Sequence, residues 1–332
     1  MKSHLARLVG TVVAGALAAS QPLTSAGAQS YPTRNVTIVV PLAAGTGMDA
    51  VARIYGELLG KALGKPVIIE NQPGAALMLA VQNVARAKPD GHTLVISTSS
   101  PMATNQTLYK KLSYNPDTDF TPIALYLKSP FVLIVRPQSG ITSLKDYIAK
   151  ARAAGDKPFT YGSPGNGTLL HLIVETLKQE FDFKADHVPY RNSPQIVTDV
   201  IGGHLSSAMS ETGAALSLIR DGKVKALAIS STSSHPRLPD VPPMATAADK
   251  PGFEAVSWHV LLAPAATPKP IVDRLRDEMR KVTSDAAFQK KVTEIGLMPI
   301  PPMTPDEMTA YIKAEQVRWG AIVRKLGLAG SR

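Results

Sequence analysis

Hydrophobic positions change their period repeatedly along the chain. Residues 36–40, with Val36, Ile38, Val39 and Val40, form a β-branched run that ends at Pro41, as expected of a strand buried on both faces. Residues 42–48 follow as a loop. From Asp49 the period lengthens: Val51, Ile54, Tyr55, Leu58 and Ala62 share one helical face, and Gly64 closes the element. The order recurs with a strand at 67–69, a helix around 81–86 and a strand at 93–96. Alternation of this kind predicts an α/β fold with parallel strand pairing.

A second block of the same type begins near Ser129. Strands are predicted at 131–135, 160–162, 187–188, 207–209 and 224–229, with helices at 143–153, 169–181 and 195–201 between them. Residues 230–252 are rich in Ser and Pro and read as a connection that carries the chain back. A strand at 256–262 and a helix opened by Thr267-Pro268 follow, with Val272, Leu275, Met279 and Val282 on one face. The last helix opens at Thr304-Pro305-Asp306-Glu307, a capping residue, a proline at the first helical position and a Glu able to close a capping box. No solenoid repeat interrupts this pattern. The boundaries expected are 29–127 plus 238–332 for one domain and 128–237 for the other.

The first residues do not fit a globular pattern. Lys2 and Arg7 precede an apolar run at 8–18, and Ala26-Gly27-Ala28 supplies small residues, so a cleaved export signal ending after Ala28 is expected at 1–28. The apolar run is too short to span a bilayer. The chain has no cysteine, which excludes disulfides and a cysteine-linked lipid anchor. The formal net charge is +10, of which Lys2 and Arg7 carry two, leaving +8 after processing. These basic residues are scattered and aromatics are 5% of the chain, a poor match to a nucleic-acid surface.

In open α/β sheets ligands sit at the carboxyl ends of strands, where helix N-termini offer unpaired N–H groups. Two loops have suitable chemistry. Residues 41–49 contain Gly45, Thr46, Gly47 and Asp49, and residues 162–168 contain Gly162, Ser163, Gly165, Asn166, Gly167 and Thr168. Gly162 and Gly167 have Walker A spacing, but Thr168-Leu169 stands where Lys-Ser/Thr is required, and neither loop reads G-x-G-x-x-G. Tyr161 breaks the G-x-S-x-G elbow around Ser163. His171 and Glu175 share a helix face but have no third ligand nearby, so His171 is expected to pack or hydrogen-bond rather than to hold a metal. Asp49 is either a cap or a ligand contact, and Trp258 either core or cleft wall.

Several ordered stretches carry a family resemblance. They include Tyr31-Pro32, Val39-Val40-Pro41, Glu70-Asn71-Gln72-Pro73-Gly74-Ala75, Lys88-Pro89-Asp90-Gly91-His92, Tyr161-Gly162-Ser163 with Gly165-Asn166-Gly167-Thr168, Leu238-Pro239-Asp240-Val241-Pro242 and Thr267-Pro268-Lys269-Pro270. Along almost its whole length the chain resembles the Bug-type extracytoplasmic receptors, the solute-binding proteins of tripartite tricarboxylate transporters. The resemblance implies a two-domain, periplasmic-binding-protein-like clamshell, each domain a mostly parallel sheet flanked by helices. It also implies a monomer that captures a small carboxylate and engages the transporter's membrane subunits, without a cofactor, metal or catalytic residue. The ligand residues it implies are Gly45, Thr46, Gly47, Asp49, Thr98, Ser99, Ser163, Asn166, Gly167 and Thr168, with Ser210 and Glu211.

The chain departs from its relatives at two places. Ala43-Ala44-Gly45-Thr46 stands where Pro-Pro-Gly-Gly is common, and Ala76-Leu77-Met78 replaces a common Gly-Gly-Asn. Ala76, Leu77 and Met78 would give the pocket a more apolar wall, favouring an aromatic or aliphatic carboxylate over citrate. Two other readings use the same loops. A sensory adaptor would present its ligand to a membrane sensor kinase, and an exported hydrolase would use Ser163 or another serine within a Ser/His/acid cluster in the cleft.

Overall fold

The computed structural model describes residues 31–155, 159–190 and 193–332, so the expected export signal lies outside the described residues. The chain opens with β1 (Val36–Val40), α1 (Gly47–Leu63), β2 (Val67–Asn71), α2 (Met78–Ala85), β3 (Thr93–Thr98), the short α3 (Asn105–Leu108) and the long β4 (Phe120–Ser129). It crosses at Pro130 into β5 (Phe131–Val135), α4 (Leu144–Ala153), β6 (Thr160–Ser163), α5 (Leu169–Phe181), β7 (Asp186–Pro189), α6 (Ser193–Gly202), β8 (Ser207–Glu211), α7 (Thr212–Arg220) and β9 (Lys225–Ile229). The return runs through α8 (Met244–Ala247), β10 (Ser257–Pro264), α9 (Lys269–Ser284), α10 (Ala286–Glu294), β11 (Met298–Pro299) and α11 (Pro305–Lys325).

These strands form two sheets, ordered β11-β4-β10-β3-β1-β2 and β7-β6-β8-β5-β9. Parallel pairing holds for β1 with β2 and β3, and for β6 with β7 and β8. The remaining pairs, made by β10, β11, β5 and their neighbours, are antiparallel. The expectation of mostly parallel sheets is corrected accordingly: both sheets are mixed. The cause is the crossing itself, because β4 leaves the first sheet and β10 re-enters it next to β4 in the opposite direction. No strand is expected from the sequence at β4, where Pro122 stands near the start, although Ile123-Ala124-Leu125-Tyr126-Leu127 behind it is continuously apolar. Pro122 is tolerated there because β11 covers only the other end of β4, at Leu127 and Lys128, leaving an edge where a missing N–H costs no ladder bond. Arg276 donates to the Pro122 carbonyl (2.8 Å).

The core lies on both faces of the first sheet. One face packs Val36, Ile38 and Val40 against Tyr55 and Leu59 of α1 and Leu275 and Met279 of α9. The other packs Val39 and Val95 against Val81, Trp319 and Val323 and continues without a break to Leu133, Tyr161, Leu172 and Ile173 of the second sheet layer. Trp258 belongs to this core: it is fully buried and its Nε1 donates to Glu315 Oε2 (3.2 Å). Burying a large side chain of this kind is worth about 2–3 kcal/mol. The α11 start forms the expected capping box between Thr304 and Glu307.

Candidate functional site

Two of the long helices begin with the same construction. Thr46 caps α1: its hydroxyl accepts the Asp49 N–H (3.4 Å) and donates to the Ala43 carbonyl (2.9 Å). Asp49 reaches back to accept the Gly45 N–H (2.9 Å). Thr168 caps α5 in the same way, accepting the His171 N–H (3.4 Å) and donating to the Gly165 carbonyl (2.8 Å). His171 reaches back, and its Nδ1 accepts the Gly167 N–H (3.1 Å). Both are reciprocal caps related to the capping box. Gly45 and Gly167 stand at φ 84° and 75°, where a side chain would be strained and glycine is not.

These caps leave the N–H groups of Gly47 and Met48 in α1, and of Leu169 and Leu170 in α5, without a protein acceptor among the described residues. Such groups, at the positive end of a helix dipole, suit a carboxylate oxygen. The surroundings of Gly45 and Gly47 are open: a Cβ on either would meet nothing within 4 Å.

Electrostatically the two caps differ. The Asp49 carboxylate is buried and also accepts from Arg53 (2.9 and 3.0 Å) and from Asn71 Nδ2 (3.0 Å). The Arg53 hydrogen bonds hold its pKa below the ordinary carboxylate value, against the opposing effect of burial. With these donors satisfied, Asp49 acts as a cap. The α5 cap is neutral and α5 has no acidic residue in its first turn, so the field there opposes an incoming anion less.

The other expected residues lie at neighbouring strand ends. Thr98 ends β3, nearly buried, with no hydrogen bond to its hydroxyl among the described residues, and Ser99 is buried with its Oγ 3.0 Å from Ser257 Oγ. The turn after β2 holds Ala75, Ala76 and Leu77 at φ 46°, 51° and 72°, three successive residues in a region that favours glycine. Ala76 is exposed, Leu77 is half-buried, and Met78 packs against the main core. Thus Met78 serves the core, while Ala76 and Leu77 remain at the protein surface. Ser210 is buried and its hydroxyl turns to the Glu211 carbonyl (3.4 Å). Glu211 at the end of β8 is reached by solvent, yet surrounding protein strips enough water to push its pKa up.

Ser163 is buried and its Oγ lies 2.6 Å from His187 Nε2 and 3.2 Å from both the Gly165 N and O. No carboxylate bonds His187 among the described residues, because Glu175 accepts from Tyr161 (2.5 Å) and Lys178 (2.6 Å). Ser163 and His187 thus form a pair without the third, acidic member of a Ser/His/acid triad among the described residues.

The parallel order places residues 41–48, 72–78 and 99–104 at one edge of the first sheet, and 163–168 and 210–212 at one edge of the second. The edges touch through Leu108, since a Cβ on Gly167 would come within 2.6 Å of its side chain. Arg332 also donates to the Asn166 carbonyl (2.7 Å). Sequence reasoning missed Arg53, Asn71, Leu108, Ser257 and the role of His187. The repeated signal Gly45-Thr46-Gly47-Met48-Asp49 and Gly167-Thr168-Leu169-Leu170-His171 would have pointed to the matched caps. A separate concavity of about 710 Å³ lies between α1 and the β2 edge, away from these strand ends.

Two mixed α/β sheets with candidate ligand loops at facing strand ends define a periplasmic-binding-protein-like receptor fold. A family model described as the tripartite tricarboxylate transporter family receptor matches residues 51–328, and the chain belongs to that family. BugT of Bordetella pertussis is 30% identical over 302 residues, 90% of this chain and 91% of that protein. A protein from the gbd 5′ region of Cupriavidus necator is 30% identical over 330 residues, covering 99% and 98%. Among solved structures, an R. palustris protein with adipate superposes with a TM-score of 0.79 at 31% identity, covering 90% of this chain and 99% of that one. MatC from Rhodopseudomonas palustris with bound malate gives 0.75 at 31% identity, covering 88% and 100%.

Proposed function

We propose that the protein is an exported receptor that captures a small aromatic or aliphatic carboxylate between its two sheet layers. It would deliver the ligand to the membrane subunits of a tripartite tricarboxylate transporter. The observation that carries this reading is the matched pair of caps, which direct unpaired N–H groups of Gly47, Met48, Leu169 and Leu170 outward at strand ends. The adipate and malate held by structural neighbours support the ligand class.

In this reading Thr46 and Thr168 position the helix ends and Asp49 keeps the first loop in shape. The Thr98 hydroxyl, Asn166 and the end of β8 at Ser210 and Glu211 border the ligand, with Ala76 and Leu77 as its apolar wall. The crossings at 129–131 and 230–256 would serve as the hinge between domains 29–127 plus 238–332 and 128–237. The mature protein begins after Ala28 in the periplasm and works as a monomer without a cofactor. Closure would exclude water and strengthen each charge-assisted hydrogen bond.

Thermal-shift screening against mono-, di- and tricarboxylates, aromatic acids and amino acids tests it. A ligand at a hundredfold excess over Kd adds about 2.7 kcal/mol, which a melt resolves. Stabilisation confined to carboxylates upholds the receptor reading; a panel in which no acid raises the melting temperature defeats it.

A further inference from the structure

The α5 cap differs from the other reciprocal caps among the described residues in one chemical respect. Asp49 accepts from Gly45 N, Asp146 from Thr142 N (2.7 Å) and Glu307 from Thr304 N (2.7 Å), all through carboxylates. At α5 the acceptor is an imidazole nitrogen, His171 Nδ1. To accept a hydrogen bond from Gly167, Nδ1 must carry no proton, so the cap exists only with the neutral ring. Protonation would turn Nδ1 into a second donor facing the Gly167 N–H.

We propose that His171 is a proton-responsive positioning residue: neutral, it holds the glycine-rich loop in its ligand-ready form, and protonated, it releases that loop and weakens ligand capture. The proposal rests on the receptor reading insofar as it assigns the loop to the ligand site. Its structural half, the cap itself, does not depend on any ligand.

The groups around His171 favour the neutral ring at ordinary pH. The ring is buried and its centroid lies 4.3 Å from that of His187, on β7, so two imidazoliums would repel. Lys178, on the same helix, also opposes a positive charge, while Glu175 favours one but shares its carboxylate with Lys178 and the Tyr161 hydroxyl of β6. Of the other elements against α5, β8 ends in Glu211, and α11 ends in Lys325, which acts on Glu180 at the far end of α5. Burial, the largest influence, pushes the His171 pKa below its ordinary value, and His187 is pushed down to about 4. A histidine lowered in the capped state contributes its full effect above about pH 6.5 and loses it as pH falls toward the lowered value. The first loop, held by Asp49, has no group that titrates in this window.

Amide hydrogen exchange of the ligand-free protein, with ¹⁵N imidazole spectra, tests the cap. After correction for intrinsic rates, protection at Gly167 should fall by up to tenfold per pH unit below about pH 6.5, while Gly45 stays flat. In His171→Gln, whose side-chain carbonyl accepts but does not titrate, Gly167 protection should also stay flat. Spectra placing the neutral-pH proton of His171 on Nδ1, pH-independent Gly167 protection in the parent, or the same fall in His171→Gln would overturn the cap. The imidazole spectra need only the parent protein, so they decide even if the variant fails to fold. Calorimetry with adipate and malate at pH 7.5 and 5.5 tests the functional half. Affinity should fall more steeply in the parent than in His171→Gln, and equal falls would overturn release. If neither acid binds, the acid that most raises the parent's melting temperature takes their place; the absence of any such acid, alongside a titrating loop, would count against the receptor reading and leave the cap standing.

Discussion

Gly167 rests against Leu108, with no space for a Cβ between the glycine-rich loop and the helix that follows β3. This contact joins the two sheet layers beside the candidate site, and it makes the loop sensitive to a single methyl group. Gly167→Ala should destabilise the protein by about 1–3 kcal/mol, combining overpacking with the positive φ. Leu108→Ala in the same chain should recover the overpacking part only. Urea unfolding of the two single variants and the double variant measures the coupling, and strict additivity would show that the contact does not form.

Asp49 is held as an anion by Arg53, Asn71 and the Gly45 N–H. Its folded pKa is lowered, so its contribution is complete above the unfolded carboxylate value of about 3.9 and is lost as pH falls through the folded one. Asp49→Asn should cost about 1–3 kcal/mol at neutral pH and flatten the acid limb of a stability profile. Equal steepness of that limb in both proteins would remove Asp49 as a contributor.

The left-handed turn at 75–77 carries side chains where glycine would sit without strain. Ala76→Gly should therefore stabilise the fold, by up to about 1 kcal/mol, despite the added freedom of the unfolded chain. Ala76→Val should do the opposite. Melting temperatures that move the other way for this pair would show that the turn adopts another backbone in solution.

Legibility in the sequence depended on how local each interaction was. The α1 and α11 starts, and the glycines at 45 and 167, were readable because caps use residues three or four positions apart. The Asp49–Arg53 pair, at i and i+4, was open to the same reasoning. Asn71 approaches Asp49 from 22 positions away, and Ser257 meets Ser99 across 158; no periodicity encodes such meetings. The antiparallel half of each sheet was equally invisible, because alternation of strand and helix implies parallel pairing and says nothing about where the chain crosses and returns. The split of Ala76, Leu77 and Met78 between surface and core arose from a backbone conformation that these residue types do not advertise.

The most direct measurement uses a proline to delete one cradle N–H. Gly47 is the first residue of α1, Thr46 before it is extended at φ −75° and ψ 162°, and nothing lies within 4 Å of a Cβ at Gly47. Proline fits that helix position and removes only an N–H that has no protein partner. Calorimetry with the carboxylate that most stabilises the parent protein should show at least tenfold weaker binding to Gly47→Pro, with Gly47→Ala near the parent and neither variant melting below the parent without ligand. Unchanged affinity in Gly47→Pro would contradict capture of the carboxylate by the α1 N-terminus.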